Sequence, residues 1–413
     1  MNIYSDGYIV NNIYNDYISS VDREIHLTSL LSLDMNILMN YFKGISVIPV
    51  FRILILNDDE SVHYEISKDV VSASLSISYQ SGQRRTANLT LANESGHWVF
   101  GVRNTLWHGM KFRIDCGAVI DNVLYWQQQG VFLLQEPSFS LDSSNKTVGI
   151  TLCDKWGLWD GTVYGNTQFK TIVPQGIPMR QAFDSIIHEN NNTGKMWDTK
   201  PIKFNVDYWS TNTYYTIKQD AGQAMAENLQ KMATTISSDL YYDSQGCMNV
   251  ESNVLDFMNN NFPVVWRFVE GDKDCSAPSL KYSKSKYYNK IITKGNIVNG
   301  YQFSASVENK NPESIYNVID TPITPKVNSN THLYADSLCL MQSMYEMVEQ
   351  SRGLMAVTMT TGYLPFLDVN QAVELYFPTI GVDGVYIIDS ISYNISTVCT
   401  MSLSLTSANE VIF

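Results

Sequence analysis

The sequence predicts a mainly β, α+β fold: two antiparallel β-barrel or sandwich domains flanking a small α+β domain. Three observations predict it. Residues 107–161 form a run of short Val, Ile, Leu, Phe and Tyr-rich segments, at 111–116, 123–128, 131–135 and 147–152. They are punctuated by Gly109, Asp121-Asn122, Gly130 and the 142–145 turn, which is the pattern of successive strands in a curled antiparallel sheet. Residues 355–405 repeat the pattern near the other end of the chain. Apolar stripes of helical period occur in the middle of the chain, with further stripes over residues 27–42 and after residue 333.

Residues 1–45 are expected to be an N-terminal extension. Leu27, Leu30, Leu31, Met35, Leu38 and Phe42 fit an amphipathic helix. Its polar face has no Lys/Arg cluster, which favours docking on a partner subunit over lying on a membrane. Residues 46–165 are the first β domain. Residues 46–56 are a nearly continuous apolar strand. In residues 70–79, Val71, Ala73, Leu75 and Ile77 alternate with Ser72, Ser74, Ser76 and Ser78, a period of two that buries one face. Ser81-Gly82-Gln83 is the hairpin loop to residues 85–91.

Residues 166–262 mix helix and strand. Pro178 opens a helix whose Met179, Phe183, Ile186 and Ile187 share a face. A strand follows at 202–208. Asp220 is the expected cap of a second helix with the stripe Ala221, Met225, Leu229, Met232 and Ile236, and 243–246 turn a hairpin. These methionines are expected to pack a core. Residues 263–413 are the second β domain. They hold two strands over 283–300 and a third, with a Pro-bounded loop, over 301–318, a helix marked by Tyr334, Leu338, Met341, Tyr345 and Val348, and closing strands with a turn at Asp383-Gly384.

At 413 residues the chain exceeds one ordinary core, so roughly two or three domains are expected. A hydrophobic fraction of 44% fills real cores, and the 25 Tyr and 8 Trp suit β-sheets and broad subunit interfaces. The net charge of −13 opposes non-specific adhesion to nucleic acid. An acidic channel wall would let DNA pass without sticking. The basic, aromatic-interleaved 281–290 stretch is expected to be an edge strand protected by lysines rather than a nucleic-acid stripe. Cys116, Cys153, Cys247, Cys275, Cys339 and Cys399 form no C-x-x-C pair and lie in apolar runs, as buried free thiols do in a reducing compartment. The sequence contains no signal peptide and no apolar window approaching the length of a membrane span. Asn-x-Ser/Thr sequons at Asn88, Asn93, Asn145, Asn191 and Asn394 are what an Asn-rich chain produces by chance.

No catalytic signature is present: no G-x-S-x-G, no H-E-x-x-H and no phosphate loop. His26, His63, His97, His108, His188 and His332 lack ligand spacing. His97 and His108 flank one loop with Trp98 and Trp107 and are expected to be packed or solvent-edge residues. The spacing of Asp154 and Asp160 gives no support to a glycosidase pair. No catalytic, cofactor-binding or metal-binding residue is assigned.

Several segments occur in an order that resembles phage tail hub proteins, also called baseplate hub proteins, a family related to the hub part of contractile injection spikes. The segments are ISYQSGQRRTANLTLAN at 77–93, YW followed by GVFLL at 125–134, and ITLCDKWGLWDG at 150–161. They continue with YYNKIITKG at 287–295, NKNPESIY at 309–316, PFLDVNQ at 365–371 and GVYIIDSIS at 384–392. The resemblance implies two tail-tube-like barrels in one chain. It implies a homotrimer whose six barrels match a hexameric tail tube. The expected partners are the tube or distal tail protein on one side and the tip, spike or tape-measure protein on the other, with DNA only in transit through the lumen and no membrane span. The expected location is the virion tail tip after assembly in the host cytoplasm, with a structural, non-enzymatic role in genome ejection. Hub proteins with a peptidoglycan-cutting domain carry it after the second barrel, and the sequence ends at Phe413 directly after the last strand, so none is expected. The alternatives are a hexameric distal-tail adaptor and a receptor- or glycan-binding tail protein whose exposed Tyr and Trp stack on sugars.

Overall fold

The computed structural model describes residues 4–5, 8–9, 30, 33–44, 47–101, 104–121, 123–141, 146–188, 198–205, 212–252, 254–259, 262–283, 288–352, 354–395, 399–408 and 411. Strands β1 (Tyr4–Ser5) and β2 (Tyr8–Ile9) and helix α1 (Met35–Met39), which continues into a π-helical turn at Asn40–Gly44, precede the first β block. That block comprises β3 (Ile48–Leu56), β4 (Val62–Glu65), β5 (Val70–Ser78), β6 (Arg85–Ala92), β7 (Lys111–Ile120), β8 (Val123–Leu141) and β9 (Lys146–Asp154). Its spatial order is β3-β7-β8-β9-β6-β5, all antiparallel.

Local deviations from the expected strands have local causes. The 123–128 and 131–135 segments are one long strand, because Gly130 sits at a bulge opposite the Ile114/Asp115 step instead of in a turn. In β5 the buried set is Val70, Ala73, Leu75 and Ile77, whereas Val71 is exposed. A register shift between Val70 and Ser72 changes the face presented before regular alternation resumes. Gly117 is required by close approach: a Cβ there would lie 2.4 Å from the Tyr125 carbonyl oxygen.

The middle of the chain contains β10 (Thr171–Val173), α2 (Met179–Ile187), β11 (Lys203–Phe204), β12 (Ile217–Gln219), α3 (Met225–Thr235), β13 (Asp239–Tyr242), β14 (Met248–Glu251) and α4 (Val254–Asn259). The helical stripes point inward as expected: Met179, Phe183, Ile186, Ile187, Met225, Leu229, Met232 and Ile236 are buried together. Asp220 does not cap α3. Its N–H donates to Gln223 Oε1 in the turn before the helix, and Ala221 is exposed outside the stripe. Asp243 closes the expected hairpin by accepting from the Gln245 and Cys247 N–H groups. Of the expected 202–208 strand, residues 203–204 are extended in β11, and 206–208 fall outside the described residues.

The second block holds β15 (Val264–Val269), β16 (Cys275–Tyr282), β17 (Lys290–Val298), β18 (Tyr301–Glu308), β19 (Pro325–Ser329), α5 (Asp336–Ser351), β20 (Met355–Thr361), β21 (Ala372–Phe377), β22 (Val382–Ile395) and β23 (Thr400–Ser407). The turn expected at Asp383-Gly384 lies earlier, where Pro378 starts a single 3-10 turn and Gly381 ends it in the left-handed region (φ 73°). Asp383 and Gly384 are paired within the β21–β22 ladder. Strands β17, β18 and β19 form a separate small sheet with α5 packed on one face through Ile291, Val307, Met344 and Met347.

The two blocks are joined by one strand. The first half of β22 pairs with β21, and its second half, Ser390–Ile395, pairs antiparallel with Ala73–Ser78 of β5. Along its other edge β22 pairs with β23, with a register shift between Ile388 and Ser390. The large sheet therefore runs from β3 through β5 to β22 and on through β23 and β20 to β16. This is the mainly β, α+β class expected, built as a continuous sheet whose strand pairing closes no barrel among the described residues. One contiguous core spans both blocks, from Ile53, Leu75 and Phe112 to Trp266, Leu375 and Leu403.

Ile77 and Ile391 face each other across the joining ladder, and both are fully buried. Ile391→Ala is expected to cost about 2–4 kcal/mol by leaving a cavity in the shared core. Calorimetry should show the two β blocks melting in one transition, in the variant as in the parent chain. Two separate transitions assignable to residues 48–154 and 264–407 would contradict the shared core.

Candidate functional site

The chemistry-bearing residues singled out in the sequence do not converge. His97 and His108 are exposed and have different neighbours: His97 lies edge-on to Trp98, and His108 edge-on to Phe100. Trp98 is buried, whereas Trp107 is exposed. Asp154 is a buried structural anchor. Its carboxylate accepts from the backbone N–H groups of Arg84, Arg85 and Trp156, tying the end of β9 to the start of β6. Burial raises its pKa to about 6 against the pull of those donors. Asp160 accepts from the Thr162 N–H in a surface turn. His63 packs edge-on to Tyr64, His188 contacts the Lys200 carbonyl, His332 stacks on Tyr215, and His26 falls outside the described residues. All six cysteines are free. Burial raises the thiol pKa of Cys116, Cys153, Cys247, Cys275 and Cys339, which keeps them protonated. Among the described residues no group of His, Cys, Asp and Glu is placed to hold a metal ion.

What the fold does bring together are buried charge clusters at the junctions between its parts. The largest lies where β5, β13, α5 and β22 meet. The Arg84 guanidinium stacks 3.3 Å from the Tyr241 ring centroid, and Arg352 stacks 3.5 Å from that of Tyr79. Asp239 accepts from the Tyr79 and Tyr345 hydroxyls and lies 3.6 Å from Arg84. The Tyr79 hydroxyl also lies 3.0 Å from Glu349, which is 3.6 Å from Arg352. Arg352 donates to Asn370 and is 3.9 Å from Asp389. Burial, then the neighbouring Asp239, raises the Glu349 pKa to about 7.

A second cluster centres on Lys155, which is fully buried. Its ammonium lies 2.6 Å from both Glu60 and Asp198 and donates to the Gly246 carbonyl. Asp198 also accepts from the Tyr242 hydroxyl, which in turn accepts from Trp159 Nε1. A third contact, Arg85 to Asp368 at 2.6 Å beside Gln129 donating to the Pro365 carbonyl, ties the 362–371 loop onto the first block. Sequence reasoning missed all three. Their only local signals are the charged Arg84-Arg85 and Asp154-Lys155 pairs inside apolar surroundings.

The outward surface carries separate apolar features. The 93–110 loop presents Val99, Phe100 and Trp107. It is held by Asn93, which exchanges two hydrogen bonds with Trp98, and by the Thr105 hydroxyl. Beside its start, β8 runs on past β7 and exposes Phe139 and Leu141. Lys281 and Tyr282 end β16, which among the described residues pairs on one side only, with β20, and is interrupted at Ala277-Pro278. That end of β16 is a guarded edge, but the 281–290 stretch is not one edge strand: residues 284–287 fall outside the described residues, and Lys290 opens β17, which pairs on both sides, with β18 and β19. The described part of the N-terminal extension packs on its own chain. Phe42 packs edge-on to Phe366, and Lys43 pairs with Asp272 at 2.9 Å. Leu30 and Leu38 enter the shared core, because the stripe finds an apolar groove within the same chain. Leu27 and Leu31 fall outside the described residues.

A family model described as Domain of unknown function (DUF5048) matches residues 312–411. No curated protein matches the chain in sequence. Among solved structures, the 43 kDa tail protein of prophage MuSo2 from Shewanella oneidensis is similar. It shares 13% identity over 88% of this chain and 99% of that one, with a TM-score of 0.57. The tail protein from Neisseria meningitidis MC58 shares 10% identity over 87% of this chain and 99% of that one, with a TM-score of 0.56. The likeness is one of fold. The chain has the fold of these tail proteins, in agreement with the resemblance carried by its sequence segments.

Glu349 generates a pH prediction. Its folded pKa of about 7 lies above the ordinary glutamate value of 4.5. Its contribution therefore favours the folded state fully below about pH 4.5 and is lost as pH rises through about 7. The whole effect is at most about 3 kcal/mol. Glu349→Gln is expected to match the parent chain in denaturant stability at pH 4.5 and to exceed it at pH 8. An equal difference at both pH values would show that Glu349 is ionised throughout.

Proposed function

We propose that this chain is a structural, non-catalytic tail hub protein of a bacteriophage-like particle. It joins the hexameric tail tube to the tail tip or spike around the DNA channel. The observation that carries this reading is the β5–β22 ladder, which welds two β blocks into one continuous sheet within a tail-protein fold. In this reading residues 46–165 and 263–413 are the two tube-like domains, and residues 166–262 brace them. Because both blocks sit in one chain, three copies offer six β blocks, and a trimer acquires the pseudo-sixfold symmetry needed to meet a hexamer.

The chemistry of the surface supports assembly over catalysis. The titratable residues singled out in the sequence do not converge on one site, while Val99, Phe100, Trp107, Phe139 and Leu141 are exposed. Large apolar side chains at a surface suit broad subunit contacts, where aromatic residues supply much of the binding energy. The acidic balance of the chain suits a lumen through which DNA moves without binding. The partners are then two further copies, the tube or distal tail protein, and the tip, spike or tape-measure protein. The site of action is the virion tail tip, following assembly in the host cytoplasm.

Light scattering of the purified chain, alone and with tail-tube protein, tests this. The expected mass is three times the 46.8 kDa chain. A hexamer would replace the hub reading with a distal-tail adaptor, and a monomer that persists in the presence of tube protein would refute it. Peptidoglycan hydrolysis by the purified chain would refute the non-catalytic part. Trp107→Glu and Phe139→Glu are expected to weaken assembly on the tube while leaving the circular dichroism spectrum of the chain unchanged.

A further inference from the structure

A cleft of about 420 Å³ lies between α3, the end of β19 with the turn that follows it, and α5. Its volume falls within the range of small-molecule sites, about 300–1,000 Å³. Glu227, Lys231 and Thr234 line it from α3, spaced four and three residues apart along one helix face. Asn328, Asn330 and His332 line it from β19 and the turn, and Gln342 and Glu346 line it from α5 one helical turn apart.

Several of these polar groups have no protein partner. Gln342 is 6% exposed, and its Oε1 accepts from the Ser237 hydroxyl. Among the described residues, its side-chain amide N–H groups make no hydrogen bond. Glu227 and Lys231 likewise form no ion pair among the described residues, while Glu346 is engaged by Lys326. The His332 ring stacks 4.5 Å from Tyr215, and partial burial and the nearby Lys231 lower its pKa. It stands as a neutral imidazole above its lowered pKa, one nitrogen donating and the other accepting. The Gln342 amide nitrogen is not sealed from solvent, so its N–H groups are available to donate to a molecule in the cleft.

The lining selects a class of ligand. It has no aliphatic residue and no aromatic residue other than His332, so it offers no pocket for an apolar peptide anchor. The carboxylates of Glu227 and Glu346 offset Lys231, so the cleft has no net positive charge with which to hold a phosphate. Amide, carboxylate, ammonium and neutral imidazole groups converge on one space. They match a neutral molecule in which each polar group both donates and accepts, as a sugar hydroxyl does. We infer that the α3–α5 cleft is a binding site for a neutral saccharide of one or two rings. The site lies within a single chain and does not depend on the hub reading or on any oligomer.

The test is calorimetric titration and saturation-transfer NMR of the full chain with glucose, N-acetylglucosamine and maltose, with inorganic phosphate as comparator. At least one sugar is expected to saturate at millimolar concentration or below. Glu227→Gln and Lys231→Gln change exposed or half-exposed helix positions. Each is expected to weaken that sugar about tenfold, the scale of losing one hydrogen bond to a charged group, with an unchanged melting temperature. Gln342→Leu is expected to abolish saturation, and the two surface variants keep the test decisive if that variant unfolds. The inference is overturned if none of the three sugars saturates. It is also overturned if binding is unaffected in both surface variants, or if phosphate binds at this cleft in place of sugar.

Discussion

The pairing of β5 with the second half of β22 is the contact on which the rest of the structure depends. A strand edge left open within a core carries backbone donors and acceptors that must be satisfied, and here each block supplies the other's missing neighbour. The register places Leu75 opposite Tyr393 and Ile77 opposite Ile391, so the serines between them share the opposite face of the sheet. A slip of one residue would exchange those faces, so the shared core and the ladder enforce the same register. The irregularity between Ile388 and Ser390 lets a single strand serve two neighbours along one edge. There the Asp389 carbonyl accepts from the Tyr79 N–H, where the first block begins.

Around that ladder the fold buries charge, which is expensive unless every group is matched. Arg84 and Arg352 are flanked by tyrosine rings and carboxylates from β13, α5 and β22, and Lys155 is enclosed by two carboxylates and a carbonyl. An apolar core tolerates many arrangements of similar volume, whereas such clusters have partners in only one arrangement. Their effect here is to define how the middle of the chain sits against both β blocks. Breaking one pair would leave its partner buried and uncompensated, so these contacts act on the orientation of parts more than on their separate stability.

The surface divides along similar lines. The edge strand β16 is guarded by the Ala277-Pro278 interruption and by Lys281, which discourages uncontrolled strand pairing. Apolar side chains that face outward include those on the 93–110 loop and on the extension of β8. In the hub reading this separates surfaces meant for assembly from edges that must stay unpaired. The polar α3–α5 cleft belongs to neither group, since its lining has no apolar side chain on which a subunit contact would rest.

Much of the fold was legible in the sequence because it follows from local periodicity. The alternation Ala73, Leu75, Ile77 needs only a half-buried strand, and the stripe Met225, Leu229, Met232, Ile236 needs only a helix with one buried face. The order of these segments also carried the resemblance that the fold comparison matched. The failures arose where a residue's role depends on what lies across from it. Gly130 could not be told from a turn glycine without its partners on β7, and Val71 could not be placed without the bulge opposite Leu91. Phe42 and Lys43 found their partners more than 200 residues away in the same chain. The charge clusters and the α3–α5 cleft were illegible for the same reason. By itself the sequence determined which segments would be strands or helices and which faces would be apolar, because those are properties of short-range spacing. Only the tertiary structure decided that two β blocks share one sheet and one core, because strand pairing and charge matching are set by contacts between segments far apart in the chain.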